Sequence, residues 1–259
     1  MIPALLFATG VGAGALGALI GVGGGIVLVP VLSLAFGVPL QHAVAVSLAC
    51  VIASSTGAAA AYVRDHRIDV RLGMQLELFT VAGAIAGAFV APLLPKAAIE
   101  ILFGLMVIPV VRSLLRPAPA EEVARVEGRG GARNLPLGCA ASFGAGTLSA
   151  VLGIGGGPIK VPVMTLILGV PFKVATATSN FMIGVTAAAS VFVYLSRGLL
   201  DLGIAVPTVL GVIAGATFGA RLMPHVPTRL LKKVFAVVLG LVGAQMLAKG
   251  LGVDPGGLL

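Results

Sequence analysis

Long apolar runs that recur from one end of the sequence to the other restrict its fold more than any other feature. Each longer run has about 20 residues, the length of an α-helix that crosses a lipid bilayer. None alternates apolar with polar residues as a transmembrane β-barrel would. Hydrophobic residues make up 58% of the 259 residues and charged residues only 10%, against about 25% in a soluble domain. The sequence therefore predicts an all-α, polytopic membrane protein.

Two nearly identical glycine-rich motifs interrupt the apolar pattern. Residues 21–30 read GVGGGIVLVP and residues 153–162 read GIGGGPIKVP, an offset of 132 residues. The same offset aligns further residues without gaps, namely Ser47 with Ser179, Tyr62 with Tyr194, Asp69 with Asp201 and Pro92 with Pro224. Such a match predicts an internal duplication, which is common among transporters.

Each predicted half contains the same series of apolar segments. The runs are 2–20, 26–37, 40–63, 72–94 and 97–115 in the first half, and 136–152, 158–169, 172–195, 203–223 and 229–249 in the second. We expect eight long spans and about ten helical segments. The short run after each glycine motif is too short to cross a bilayer comfortably. It is either a half-helix that crosses or one arm of a re-entrant hairpin.

Charged residues in the loops predict that the two halves are inverted. Cytoplasmic loops of membrane proteins collect Lys and Arg. The loop at 64–71 has three arginines where its equivalent has only Arg197, whereas the loop at 95–100 has only Lys96 where its equivalent has three basic residues. Equivalent loops are therefore expected on opposite sides of the membrane.

The polar stretch 116–134 is expected to be a cytoplasmic linker between a first repeat, 1–115, and a second, 135–259. Both termini then lie outside. The net charge of +8 belongs to such loops, where it sets the topology, and we do not expect nucleic acid as a partner.

The glycine motifs are predicted to break a helix and to expose backbone N–H groups. Glycine runs are poor helix formers, and irregular backbone at membrane depth is tolerated only inside protein or beside a wet cavity. The helix that starts after each motif directs free N–H groups and its positive end at a ligand, which favours an anion. A tight bend that only lets helices cross is the alternative. The glycines predicted to bind substrate are Gly23, Gly24, Gly25, Gly155, Gly156 and Gly157.

Lys160 is a single charged residue within the short run of the second half, and its equivalent in the first half is Leu28. A charge at membrane depth is costly and usually functional, so attraction of an anion is favoured over a side chain that snorkels to the interface. Glu77 is expected to pair with Arg71 at the cytoplasmic edge, and a proton-carrying role is the alternative.

Further ligand candidates are polar residues near the starts of two spans. Their hydroxyl and amide groups would replace water around an oxyanion, although helix capping by Ser or Thr explains them nearly as well. These residues are Ser47, Thr178, Ser179 and Asn180.

Other chemistry is not indicated. No set of acid, base and nucleophile predicts an enzyme, the three histidines lack the spacing of a metal site, and no cofactor is expected. Cys50 and Cys139 are interpreted as packing residues. The string GAGALG at 12–17 and the pairs Gly83/Gly87 and Gly215/Gly219 predict close helix packing, because small residues four apart let helices approach.

Two copies of GxGGGxxxVP in this hydropathy pattern resemble the TauE/SafE family of sulfite exporters, also described as anion permeases for organosulfur compounds. The resemblance covers essentially the whole sequence. It implies transport of a small sulfur-containing anion (sulfite, sulfonate or sulfoacetate) across a bacterial-type inner membrane, without enzymatic activity.

The predicted function is therefore a lipid-embedded secondary transporter that works by alternating access, with a proton as one candidate coupling ion. An anion channel with the same site and a non-transporting membrane scaffold are the alternatives.

Overall fold

Helices dominate the computed structural model, which describes residues 2–20, 23–64, 69–115, 134–170, 172–222 and 228–252. Across those ranges there are ten α-helices and no β-strand, so the all-α prediction is confirmed for them. The helices are α1 Ile2–Ile20, α2 Gly25–Pro30, α3 Leu40–Arg64, α4 Val70–Val90, α5 Lys96–Leu115, α6 Leu135–Leu152, α7 Gly157–Pro162, α8 Phe172–Ser196, α9 Leu202–Leu222 and α10 Thr228–Gly250. Apart from Asn134, the predicted linker lies outside the described residues.

The two short helices follow the glycine motifs as expected. Helix α2 continues as a π-helix over Val31–Ala35, and α7 continues in the same way over Val163–Ile167. The proline of each motif is the last α-helical residue before this change. Proline cannot donate the backbone hydrogen bond of a regular helix, and such interruptions favour local π geometry.

Helix boundaries in the second half reproduce those in the first at the 132-residue offset. Helix α3 corresponds in this way to α8, and α4 corresponds to α9. The main helix contacts exchange under the same offset, because α1 packs on α9 as α6 packs on α4. Helix α3 packs on α8, and α5 packs on α10.

Glycines bring the paired helices into backbone contact. A Cβ atom added to Gly83 would fall on the carbonyl oxygen of Phe143, and one added to Gly215 would fall on that of Val11. Within GAGALG, a Cβ atom at Gly14 would collide with the Val212 backbone. The predicted close helix packing is confirmed at these positions.

The helices also satisfy the requirements for a membrane protein. Among the described residues, four windows are long and apolar enough to cross a bilayer: Val70–Leu93, Leu135–Leu152, Ala177–Ser196 and Leu202–Gly219. Large apolar side chains face outward, including Leu78 at 71% exposure and Phe192 at 73%. Exposed apolar surface of this kind suits contact with lipid chains. The count of eight spans stays a prediction.

Helices α3 and α8 lie at the centre and position the site. Val51 on α3 and Ile183 on α8 are fully buried, and so are several polar residues of the same two helices. Cys50 is buried in α3, Cys139 is half-buried in α6, and both are free thiols.

Candidate functional site

Each glycine motif ends one helix and starts another, as predicted. Gly24 and Gly156 are the N-cap residues of α2 and α7, with φ of 68° and 81°. Gly23 and Gly155 also have positive φ. Residues with a side chain rarely adopt this left-handed conformation, whereas glycine adopts it readily. Gly25 and Gly157 are then the first residues of the two short helices.

The two glycine loops converge on the same pair of side chains. A Cβ atom added to Gly23 would lie 3.3 Å from both Val51 and Ile183, and one added to Gly155 would lie 2.5 Å and 2.6 Å from them. A Cβ atom at Gly25 would lie 2.7 Å from the carbonyl oxygen of Gly153. Two motifs that are 132 residues apart in sequence therefore meet between α3 and α8.

Two buried serines of α3 bind the loop carbonyl groups. Ser47 Oγ lies 2.6 Å from the Gly153 carbonyl oxygen and 3.2 Å from that of Gly25. Since a hydroxyl has one proton, the shorter contact takes the hydrogen bond. Ser54 Oγ lies 2.9 Å from the Gly23 carbonyl oxygen and 3.0 Å from that of Val51, so its proton is shared between the loop and α3. Ser47, predicted as a ligand, therefore links the second loop to α3.

The two loops differ in what lies against them. A Cβ atom at Gly17 of α1 would fall on the backbone nitrogen of Gly24, so the backbone of α1 covers the first loop. The residue equivalent to Gly17 is Ser149 of α6. A Cβ atom at Gly156 would lie 3.4 Å from Ser149 Oγ, so the second loop faces a hydroxyl group instead of a backbone.

Unpaired polar groups gather at the second loop. Within the described part of the chain, the N–H groups of Gly155 and Gly156 donate to no acceptor. Ser149 Oγ is buried and also has no hydrogen-bond partner there. Buried polar groups are almost always satisfied by protein, water or a ligand. The second loop therefore offers N–H and O–H groups to a bound molecule.

Lys160 lies beside this loop in a closed polar network. Its Nζ atom is 3.1 Å from Glu77 Oε2 and 2.6 Å from Thr186 Oγ1. Thr186 in turn donates to Glu77 Oε1 at 2.6 Å. Gly156 touches the same side chain, because a Cβ atom there would lie 3.3 Å from Lys160 Cε. The network joins α7, α4 and α8.

One expectation about these charges is wrong, and one alternative is excluded. Lys160 is only 2% exposed, which excludes the alternative of a side chain that snorkels to the interface. Glu77 is 6% exposed and pairs with Lys160 rather than with Arg71, which is exposed. Helix packing brings the two residues together across 83 positions of sequence. A buried charge without a partner is strongly destabilising, so each of these two compensates the other.

The polar residues at the start of α8 divide into two groups. Thr178 Oγ1 accepts a hydrogen bond from the Asp69 N–H at 3.1 Å. Thr178 therefore binds the backbone of the N-cap residue of α4. Ser179 Oγ and Asn180 Nδ2 are buried and have no hydrogen-bond partner among the described residues. Ser179 and Asn180 therefore retain free polar groups for a ligand.

Three residues of the site were not predicted as ligands: Ser149, Glu77 and Thr186. Glu77 could have been identified from the sequence, because a carboxylate inside an apolar run needs a cationic partner. Nothing in the sequence distinguishes Ser149 and Thr186, since hydroxyl residues are ordinary in such helices. Two of the three histidines, His66 and His225, lie outside the described residues. No cluster of potential metal ligands occurs among the residues described.

Comparison with known proteins agrees with this architecture. The family model for "Sulfite exporter TauE/SafE" matches residues 6–246. The "Probable membrane transporter protein YunE" of Bacillus subtilis is 29% identical, over 95% of this chain and 98% of its own. The "Probable membrane transporter protein MJ0441" of Methanocaldococcus jannaschii is 24% identical over 94% of both chains.

A "Sulfite exporter TauE/SafE family protein 5" of Arabidopsis thaliana is 34% identical, over 38% of this chain and 22% of its own. No solved structure matches the chain. Because the family model spans nearly the whole sequence, from α1 to α10, this polytopic membrane protein belongs to the TauE/SafE sulfite exporter family.

Proposed function

We propose that the protein is a secondary transporter that moves a small sulfur-containing anion across the inner membrane by alternating access. The observation that carries the proposal is the second glycine loop, where free N–H groups, the buried hydroxyl of Ser149 and the buried ammonium of Lys160 lie together. Backbone N–H groups at a helix start, combined with a cation, favour a bound anion.

The anion binds mainly at the second loop in this proposal. Gly155, Gly156 and Gly157 supply N–H groups, and Ser149 and Lys160 supply a hydroxyl and a charge. The first loop is a poorer site because the backbone of Gly17 covers Gly24. Ser179 and Asn180 are additional ligands, while Ser47 and Thr178 hold the surrounding backbone in place.

Alternating access would use the two halves as inverted repeats. Supporting this, the helix boundaries recur at one offset and the pairs α1–α9 and α6–α4 exchange under it. The basic residues support the inversion, because the loop rich in Lys and Arg lies at opposite positions in the two halves. The proposal has eight long spans surrounded by lipid, both termini outside, and the linker 116–134 in the cytoplasm. Rocking of one half against the other would open the site to each side in turn.

Sulfite, a sulfonate or sulfoacetate is the proposed substrate. All three present three oxygens on sulfur that share its negative charge, which suit a cluster of N–H and O–H donors around one cation. The name of the matching family supports a sulfur oxyanion.

The first test is binding. The purified protein is heated with sulfite, methanesulfonate, sulfoacetate, chloride or phosphate, and a ligand that binds the folded state raises the unfolding temperature. The sulfur anions should stabilise the protein, and chloride should not. A protein stabilised by none of the sulfur anions would refute the proposed site and agree with a scaffold.

The second test is counterflow in proteoliposomes. Vesicles loaded with unlabelled methanesulfonate should transiently accumulate the labelled anion, and the rate should saturate with its concentration. Large single-channel currents without counterflow would instead identify an anion channel.

A further inference from the structure

Lys160 cannot hold a substrate anion and keep its present partner without a charge imbalance. The pair Lys160–Glu77 is neutral and both side chains are buried. An anion at Lys160 would make two negative charges share one positive charge. Uncompensated charge in a low-dielectric interior is strongly unfavourable. The Glu77 carboxylate must therefore lose its charge when the anion binds.

We propose that Glu77 binds a proton and that the substrate anion then replaces Glu77 as the partner of Lys160. One proton and one anion therefore bind and cross together. The inference rests on the proposed transport function and specifies its coupling. In the resting state the Glu77 carboxylate binds the Lys160 ammonium. A proton from water adds to a Glu77 carboxylate oxygen, and the anion takes the freed position at the ammonium, which stays protonated.

Charge balances in this exchange. A monovalent anion and a proton enter, and the site remains neutral, with a protonated Glu77 beside an anion–ammonium pair. Thr186 is placed to serve both states, because its hydroxyl accepts from Lys160 and donates to Glu77. On protonation of Glu77 the same hydroxyl can instead accept the new O–H group. Release of both species on the far side restores the pair.

No other titratable side chain among those described faces Glu77. Its helix α4 packs on α6 and α8, and α7 approaches through Lys160. The other titratable or charged residues here are Asp69, the N-cap residue of α4, Arg71 on α4, Cys139 on α6, Lys173 and Tyr194 on α8, and Lys160 on α7. The side chain of Lys173 is outside those described, and Tyr194 donates to the Ala150 carbonyl oxygen. Of the described side chains, Lys160 alone is within ion-pair distance of Glu77.

The fold itself does not call for this pair. At the 132-residue offset Lys160 corresponds to Leu28 and Glu77 corresponds to Val209, both apolar. The equivalent contact, between α2 and α9, is thus made without charge, and Leu28 and Val209 pack in one hydrophobic cluster. A costly ion pair present on one side only of a duplicated architecture indicates a functional role.

The test compares anion affinity at two pH values for wild type and Glu77→Gln. The probe is methanesulfonate, whose own charge is constant between about pH 6 and about pH 8, and binding is followed by thermal stabilisation. Coupling of one proton to one anion changes the affinity about tenfold per pH unit. Wild type should bind more tightly at the lower pH with that slope. The amide of Glu77→Gln resembles a protonated carboxyl, so its affinity should not depend on pH.

The transport measurement separates the coupling from the carrier itself. In proteoliposomes with an imposed pH gradient, wild type should accumulate methanesulfonate above its external concentration. Glu77→Gln should lose this accumulation, because its amide cannot carry a proton, and counterflow by this variant should be independent of the pH gradient. Gradient-driven accumulation by Glu77→Gln equal to that of wild type would overturn the proposal. Absence of both binding and counterflow in wild type, with methanesulfonate and with sulfite, would refute the proposed function instead.

Glu100→Gln is the matched control. Glu100 is another buried carboxylate, 3% exposed on α5, and its Oε1 atom lies 3.9 Å from the exposed Lys96. The same isosteric change there should leave the pH slope and the accumulation as in wild type. Loss of coupling in Glu100→Gln but not in Glu77→Gln would show that Glu100 carries the proton, and it would overturn the proposal.

A second measurement does not depend on any variant folding. A pH-sensitive dye inside weakly buffered wild-type vesicles, with the membrane potential clamped at zero, should report acidification when methanesulfonate is added outside. The expected ratio is one proton per anion. Anion entry without acidification would overturn the proposal even if Glu77→Gln could not be purified.

Discussion

The ammonium group of Lys160 lies 3.1 Å from the carboxylate of Glu77, and both are buried. Thr186 bonds to each of them, so helices α4, α7 and α8 are joined by one polar network. This network lies next to the second glycine loop. The charge that the sequence suggests for binding an anion is thus already neutralised inside the protein.

Removing one partner of this pair should cost more stability than removing both. Lys160→Leu leaves Glu77 buried without a cation, and breaking a buried pair in this way costs about 3 to 5 kcal/mol. The double variant Lys160→Leu/Glu77→Val has the residues found at the two equivalent positions, Leu28 and Val209. It should recover most of that loss, because apolar replacement of a buried pair is often neutral or stabilising. Thermal unfolding in detergent measures both variants.

Both of these variants should fail to bind sulfite or methanesulfonate. A double variant that unfolds as early as the single one would contradict the structural argument. Anion binding by the double variant at wild-type affinity would remove Lys160 from the site.

Gly156→Val should weaken anion binding. A valine at φ 81° is strained, and its Cβ atom would lie 3.3 Å from both Lys160 and Ser149. Gly169→Val is the control, since Gly169 has φ 71° with nothing within 4 Å of an added Cβ atom. Each carries a backbone penalty of about 1 to 2 kcal/mol, but only Gly156→Val should weaken binding by roughly tenfold or more. Equal affinities in the two variants would contradict the site.

Equivalent serines should respond in opposite ways to alanine. Ser47→Ala loses the hydrogen bond to the Gly153 carbonyl oxygen and should lower stability by about 1 kcal/mol. Ser179→Ala removes a hydroxyl with no partner among the described residues, so stability should not fall. If Ser179 binds the anion, affinity should drop roughly fivefold. Isothermal titration and thermal unfolding separate the two effects, and an unchanged affinity would exclude Ser179.

Alanine at the helix-crossing glycines should destabilise the bundle. Added Cβ atoms at Gly83 and Gly215 would fall on the carbonyl oxygens of Phe143 and Val11, and forcing such contacts apart costs about 1 to 3 kcal/mol. Gly144 is the control, because nothing lies within 4 Å of its added Cβ atom. Gly144→Ala should be as stable as wild type or more stable, since alanine favours helix. Similar losses at all three positions would contradict the packing argument.

Equivalent loops should be labelled from opposite sides of the membrane. In a background with Cys50→Ala and Cys139→Ala, an impermeant thiol reagent is applied to cells carrying His66→Cys or Gly198→Cys. Inverted repeats predict that the external reagent modifies Gly198→Cys in intact cells. It should modify His66→Cys only after the cells are permeabilised. Modification of both from the same side would refute the inversion.

Local features were predictable from the order of residues alone. The short helical stretches were expected at 26–37 and 158–169, and helix with its π continuation covers 25–35 and 157–167. Glycine conformation and apolar run length act over a few neighbouring residues, so they can be recognised in one stretch of chain. The repeated motif likewise indicated the family that the whole-chain comparison then showed.

The roles of the polar residues were less accessible. Thr178 and Ser47 belong to the same class of hydroxyl residue as Ser149 and Ser179, yet the first two bind backbone groups and the last two have no partner among the described residues. Which hydroxyl meets a carbonyl oxygen depends on how far another helix approaches. That distance follows from glycines elsewhere in the chain, such as Gly17 against Gly24.

The partner of Lys160 was decided by tertiary packing. The sequence has a costly charge in an apolar segment, and Arg71 is the opposite charge nearest to Glu77 along the chain, so a pair between those two was the natural expectation. The folded chain brings α4 and α7 together across 83 residues, and burial makes the distant cation the stronger partner. Helices and glycine breaks follow from neighbouring residues, whereas a buried ion pair follows from which helix faces meet.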